Sequence, residues 1–205
     1  MSGVRRWSSG LVILSLSIIS TASHAQTAVT VNNRSFETGT SPGASANVAP
    51  GSPAIEGWTV ADGSVSYIGS KWQHAQGERS VGLLCGGSIS QTFATEPDMK
   101  YELRFSMAGD PTAKPALKTV VVSFGETRVF TFDTTGKSLT DMGWSSRTWV
   151  FRAKDTKTTL TFTSPNAQPH VWSDDPFWVY LGYQASMLEL GRSPLPQVDA
   201  NQWTY

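Results

Sequence analysis

The 205-residue chain has a single cysteine, Cys85, so no disulfide can form within it. Cys85 sits in the apolar run Val81–Gly86, where a small buried hydrophobe is the expected role. No Cys/His cluster has the spacing of a zinc site. Basic and acidic side chains number 16 each, and no basic block exists to neutralise a phosphate backbone. Nucleic acid is therefore not an expected partner. The apolar run Leu11 to Ile19 is too short for an ordinary membrane span. It follows Arg5 and Arg6 and precedes the small residues of Ser23-His24-Ala25, the grammar of a signal peptide cleaved near Gln26. The expectation is a secreted or periplasmic protein with no membrane span in the mature chain. Three segments follow: a signal peptide at 1–25, one domain at 26–192 and a tail at 193–205. A mature chain of roughly 180 residues is long enough to bury a core without staples.

No strong amphipathic helix is present, and apolar residues instead recur at every second position. Tyr101, Leu103, Phe105 and Met107 alternate with Glu102, Arg104 and Ser106. Val120, Val122 and Phe124 form a second set, Phe130 and Phe132 a third, and Leu160 and Phe162 a fourth. Shorter runs at 28–31, 58–60, 64–68, 80–84, 88–93, 148–151 and 178–190 complete about ten or eleven strands separated by turn signals. That pattern predicts an all-β sandwich. Gly39–Pro53 and Pro165–Pro176 read as loops, rich in turn residues. Gly143–Ser164 reads as two strands joined by a polar turn, the last hairpin of the sandwich.

Several blocks occur in a distinctive order. Asn33-Arg-Ser-Phe-Glu37 opens the series, followed by Gly57-Trp58, Val65…Ile68-Gly69…Trp72 and Gly77…Ser80-Val81. Gly87-x-Ile89-Ser-Gln-Thr-Phe93, Tyr101-x-Leu103-x-Phe105…Ala108-Gly-Asp-Pro111 and Trp144–Ser164 complete it. From Asn33 to Leu190 the chain resembles the choice-of-anchor C family of bacterial exported proteins, related to the domain-of-unknown-function-642 proteins of plant cell walls. The resemblance implies a galactose-binding-like jelly-roll β-sandwich and binding of carbohydrate or cell-wall polymer. In related jelly rolls a Glu of the opening strand and an Asp of the closing strand help hold a structural calcium. Glu37 is present here, but Ser186 stands at the second position, and a hydroxyl is a poorer ligand for a hard dication. No cofactor is therefore expected.

Two polar segments carry the candidate binding residues. Trp72, Gln73 and His74 put an aromatic ring beside an amide and an imidazole, groups that stack against a sugar and bond its hydroxyls. Packing of Trp72 in the core explains the same residue equally well. His170, Trp172 and Asp174 form the second cluster, read either as a sugar site or as a solvated loop cinched by one tryptophan. Trp58, Trp144 and Trp149 lie in strand-like blocks and are expected in the core. Asp133, Asp141 and Asp155 lie near turn residues, where aspartate caps backbone groups. No nucleophile elbow, His-Glu-x-x-His helix or phosphate loop occurs in the chain. The expected function is a non-catalytic module binding a polysaccharide or cell-surface glycan. The alternative is a structural or protein-interaction component of an extracellular assembly, with surface proteins as partners.

Overall fold

The computed structural model describes residues 28–29, 31–84, 86–165 and 179–191. Within them the chain forms twelve strands: β1 (Ala28–Val29), β2 (Ser45–Val48), β3 (Thr59–Asp62), β4 (Val65–Ile68), β5 (Ser80–Leu83), β6 (Ser88–Ala94), β7 (Lys100–Gly109), β8 (Leu117–Ser123), β9 (Thr127–Asp133), β10 (Ser145–Arg152), β11 (Lys157–Thr163) and β12 (Val179–Gly191). They build two antiparallel sheets. One has seven strands in the order β10-β7-β12-β5-β4-β2, with β1 added against β12. The other has five, in the order β3-β6-β11-β8-β9. The all-β jelly-roll expectation holds.

The alternation read from the sequence is the burial pattern of the strands. Along β7, Tyr101, Leu103, Phe105 and Met107 are buried while Arg104 is exposed. Along β11, Leu160 and Phe162 are buried while Thr159 is exposed. A pleated strand sends successive side chains to opposite faces, so the two inner faces meet as one apolar layer. Phe105 of the seven-stranded sheet meets Phe130 and Phe162 of the five-stranded sheet edge-on, with ring centroids 5.1 and 5.2 Å apart. Phe124, after β8, stacks on Phe151 of β10 at 4.0 Å and touches Trp149 at 4.9 Å, closing one side of the sandwich. Each such aromatic pair contributes about 0.5–1.5 kcal/mol beyond the area it buries. Trp58 and Trp149 lie in the core as expected.

Two expectations are corrected. Gly143–Ser164 is not a hairpin. β10 pairs with β7 in the seven-stranded sheet, whereas β11 pairs with β6 and β8 in the five-stranded one. The link from 153 to 156 crosses between layers, because Trp149 and Phe151 face Leu160 and Phe162 from opposite sides of the core. Gly39–Pro53 is not all loop, since Ser45–Val48 pairs with β4 in full register. Only Val48 of that strand is buried, so no hydrophobic alternation marks it. Asp133 caps a turn as expected: it accepts hydrogen bonds from the Thr135 N–H at 2.9 Å and hydroxyl at 2.7 Å. Those bonds hold its carboxyl below the usual carboxylate range, the hydroxyl making the larger contribution. The signal peptide, Cys85 and the tail lie outside the described residues.

Candidate functional site

The two outer faces of the sandwich differ, and the sequence-predicted cluster lies on one of them. In β4 and β5, Val65, Tyr67, Val81 and Leu83 point inward, so alternation sends Ile68 and Ser80 outward. Both are nevertheless buried. The loop from 69 to 79 folds back over them, and the Trp72 indole N–H donates to the Ser80 hydroxyl at 3.1 Å. Trp72 is 5 % exposed, so its ring offers a sugar almost no free face. The Lys71 ammonium lies 5.3 Å from the ring centroid. The His74 Nε2–H donates to the Gly69 carbonyl at 2.5 Å and closes the loop on itself.

Gln73 joins this loop to a second one, from 134 to 144, between β9 and β10. Its backbone N–H donates to the Leu139 carbonyl at 2.8 Å, and its side-chain oxygen accepts the Met142 N–H at 2.8 Å. Its carbonyl accepts the Trp144 indole N–H at 2.9 Å. Met142 is fully buried beneath this seam. Trp144 is only partly buried but packs against the core, so the core placement read from the sequence holds in part. The seam therefore carries a tethered, partly exposed indole beside an exposed glutamine, with half-buried His74 adjacent. Trp144 is the residue that sequence reasoning missed. Its strand-like neighbours point to the core, and nothing local reveals the bond across 71 positions that ties its indole to the seam.

A second polar cluster forms at the opening segment. Phe36 has φ 63°, a left-handed conformation costly for a bulky residue. It holds because its carbonyl accepts the Tyr67 hydroxyl at 2.5 Å while its ring packs on Trp58 at 5.2 Å. Burial pushes the Tyr67 hydroxyl above its ordinary value, outweighing the hydrogen bond and charge of Arg79. One Glu37 carboxylate oxygen accepts the N–H groups of Glu78 and Arg79 at 3.0 and 3.1 Å. Gly77 permits that approach, since a Cβ there would stand 2.2 Å from the same oxygen. The cation of this corner is the Arg79 guanidinium, donating to Tyr67 at 2.8 Å and to the Gly39 carbonyl at 3.3 Å. A carboxylate so engaged, beside a fixed side-chain cation, does not fit the structural calcium of related jelly rolls. Among the described residues no three His, Cys, Asp or Glu side chains gather as metal ligands. His170, Trp172 and Asp174 lie outside the described residues. No helix among those described is long and apolar enough to cross a membrane.

Residues 29–178 match the family described as protein of unknown function DUF642. The chain belongs to this family. The DUF642 domain is also 31 % identical over 140 residues to halomucin of Haloquadratum walsbyi, an alignment covering 65 % of this chain and 2 % of halomucin. The chain thus spans a small fraction of that relative. Among solved structures it is similar to an arabinose-bound α-L-arabinofuranosidase, with a TM-score of 0.50 and 9 % identity over 79 % of this chain and 26 % of that one. It is also similar to the CBM22-1 xylan-binding domain of Paenibacillus barcinonensis Xyn10C, with a TM-score of 0.45 and 16 % identity over 78 % and 93 % of the two chains. The arabinofuranosidase comparison shows a shared β-sandwich fold.

Proposed function

We propose that this DUF642 domain is an exported, non-catalytic module that binds a polysaccharide or cell-surface glycan at the seam between its two roofing loops. One observation carries the reading: Trp144 stands partly exposed at the surface of the core, tethered by its indole N–H to the carbonyl of exposed Gln73. A fixed aromatic face next to amide and imidazole groups suits a sugar, whose ring has apolar faces and a rim of hydroxyls. His170, Trp172 and Asp174 are proposed as further contacts, on the sequence argument alone. Trp72 supports the seam from beneath rather than touching the ligand. The signal-peptide grammar supports export.

The test is a glycan array probed with the mature protein, followed by Trp144→Ala and Trp172→Ala variants of unchanged melting temperature. Binding of a soluble glycan that Trp144→Ala weakens is the expected result. If no glycan binds at millimolar concentration, the domain is a structural or protein-interaction component instead. If a glycan binds and both variants keep full affinity, the ligand sits elsewhere.

A further inference from the structure

Strand β10 ends one side of the seven-stranded sheet, and among the described residues only β7 pairs with it. Just beyond its last residue the Ala153 N–H donates to the Met99 carbonyl at 2.9 Å, which fixes the side to which each residue bonds. Every second residue of a strand turns its N–H and C=O the same way, so Phe151, Trp149 and Arg147 bond toward β7. Ser146, Thr148, Val150 and Arg152 therefore turn theirs to the open edge. The other edges are blunted. β1, β2 and β3 have two, four and four residues. β3 also carries a register shift, and its Val60 carbonyl accepts the Gly51 N–H at 3.1 Å. On β9 the Thr131 carbonyl accepts an N–H of the Arg147 guanidinium at 2.9 Å. β10, by contrast, pairs all eight of its residues with β7 without a shift. Its two charges are drawn to its ends. Arg147 reaches Thr131 and, at 3.3 Å, the Ser146 carbonyl, while Arg152 donates to the Asp98 carbonyl at 2.6 Å. Between them Thr148 and Val150 stay in solvent, Val150 at 45 % exposure.

The open groups define what they accept. Alternating N–H and C=O groups along one edge are matched by the backbone of another extended strand. A free peptide would lose its chain freedom on docking, whereas a second copy of this chain presents β10 already extended and held. An antiparallel edge is also its own complement about a two-fold axis. With that axis at Trp149, Thr148 of one copy lies opposite Val150 of the other, and Ser146 lies opposite Arg152. Each of these pairs turns its backbone groups toward the other copy and can exchange two bonds. Thr148 and Val150 form a cross-strand pair of β-branched side chains, stiff about χ1 before they meet. Every arginine faces a neutral residue in this register, Arg152 opposite Ser146 and Arg147 opposite Phe151, so no like charges oppose the contact.

We infer that two copies of this chain associate edge to edge through β10, joining their seven-stranded sheets into one continuous antiparallel sheet. No glycan enters this inference. The experiment is sedimentation velocity of the mature protein from micromolar to millimolar concentration, with amide hydrogen exchange followed by NMR at both extremes. The expected result is a monomer–dimer equilibrium in which the Thr148 and Val150 amides exchange fast in dilute protein. At high concentration they slow by about tenfold or more, while the Trp149 and Phe151 amides, bonded toward β7, are protected throughout. Val150→Lys sets an ammonium in the middle of the contact, and Thr148→Pro removes an N–H that faces away from β7. Each should weaken association by about tenfold or more and keep the melting temperature of the dilute protein. Thr159→Lys, on the other sheet, leaves association unchanged. The inference is overturned if the protein stays monomeric up to millimolar concentration. It is overturned equally by a dimer in which the Thr148 and Val150 amides exchange as fast as in the monomer, since the contact then lies elsewhere. Should Thr148→Pro fail to fold, Val150→Lys and the exchange pattern decide the matter.

Discussion

The two outer faces of this sandwich begin from the same strand alternation and end differently. On the seven-stranded sheet, two loops fold back over the outward positions and meet at Gln73, so Ser80, Ile68 and Met142 are as buried as the core. On the five-stranded sheet no described loop returns, and Thr159, Thr92 and Val129 stay in solvent. One face has become a second, smaller core carrying a tethered aromatic at its margin. The other is an open array of mostly short polar side chains with charge at its margins, at Asp62, Asp133 and Lys157. The lesson is that outward alternation sets a side chain's direction, while exposure depends on what the following loop does.

The comparison is most severely tested at Trp72. Removing this roof ring exposes Ser80 and empties a buried site, so Trp72→Ala costs about 3–5 kcal/mol in a denaturant titration. A folded, equally stable Trp72→Ala protein that no longer binds glycan would return the residue to the ligand and dismantle the roof. Next in size is Gln73→Ala. It leaves the Met142 N–H without its acceptor and loosens the seam, for a loss of about 1–3 kcal/mol by the same titration.

Alkaline pH probes the interior between the faces. Burial raises the folded Tyr67 hydroxyl above the ordinary 10.0. The unfolded chain then loses this proton first as pH rises. The stability Tyr67 contributes is therefore complete below pH 10.0 and is lost as pH climbs through the folded value. Melting temperature measured across this range should fall less steeply in Tyr67→Phe than in the parent; an identical slope would remove Tyr67 as the cause.

The smallest effects belong to the bare face and the opening corner. Thr161→Val removes a solvent-facing hydroxyl and should change stability by less than about 0.5 kcal/mol, in contrast with either roof variant. A loss comparable to that of Gln73→Ala would mean the array serves the fold. Calcium and EDTA should leave the melting temperature alike, because Glu37 is held by backbone N–H groups and Arg79 supplies the local cation. A large drop in EDTA would show ligands outside this corner.

Local pattern by itself determined the strands with one buried side, the all-β class and the inward set from Tyr101 to Met107, because pleating converts spacing directly into facing. It also flagged 72–74 as an unusual polar-aromatic segment. It could not reveal β2, whose exposed residues carry no alternation, nor the separation of β10 from β11, since both strands of a hairpin and two strands of opposing sheets show the same period. Only the tertiary structure decided that Trp72 is roofed in while Trp144 stays partly exposed at the edge of the core. Both choices rest on hydrogen bonds between distant segments, from Trp72 to Ser80 and from Trp144 to Gln73. The line of hydroxyls from Thr59 to Thr127 is likewise a product of register: each residue is an ordinary strand threonine or serine until pairing aligns five strands.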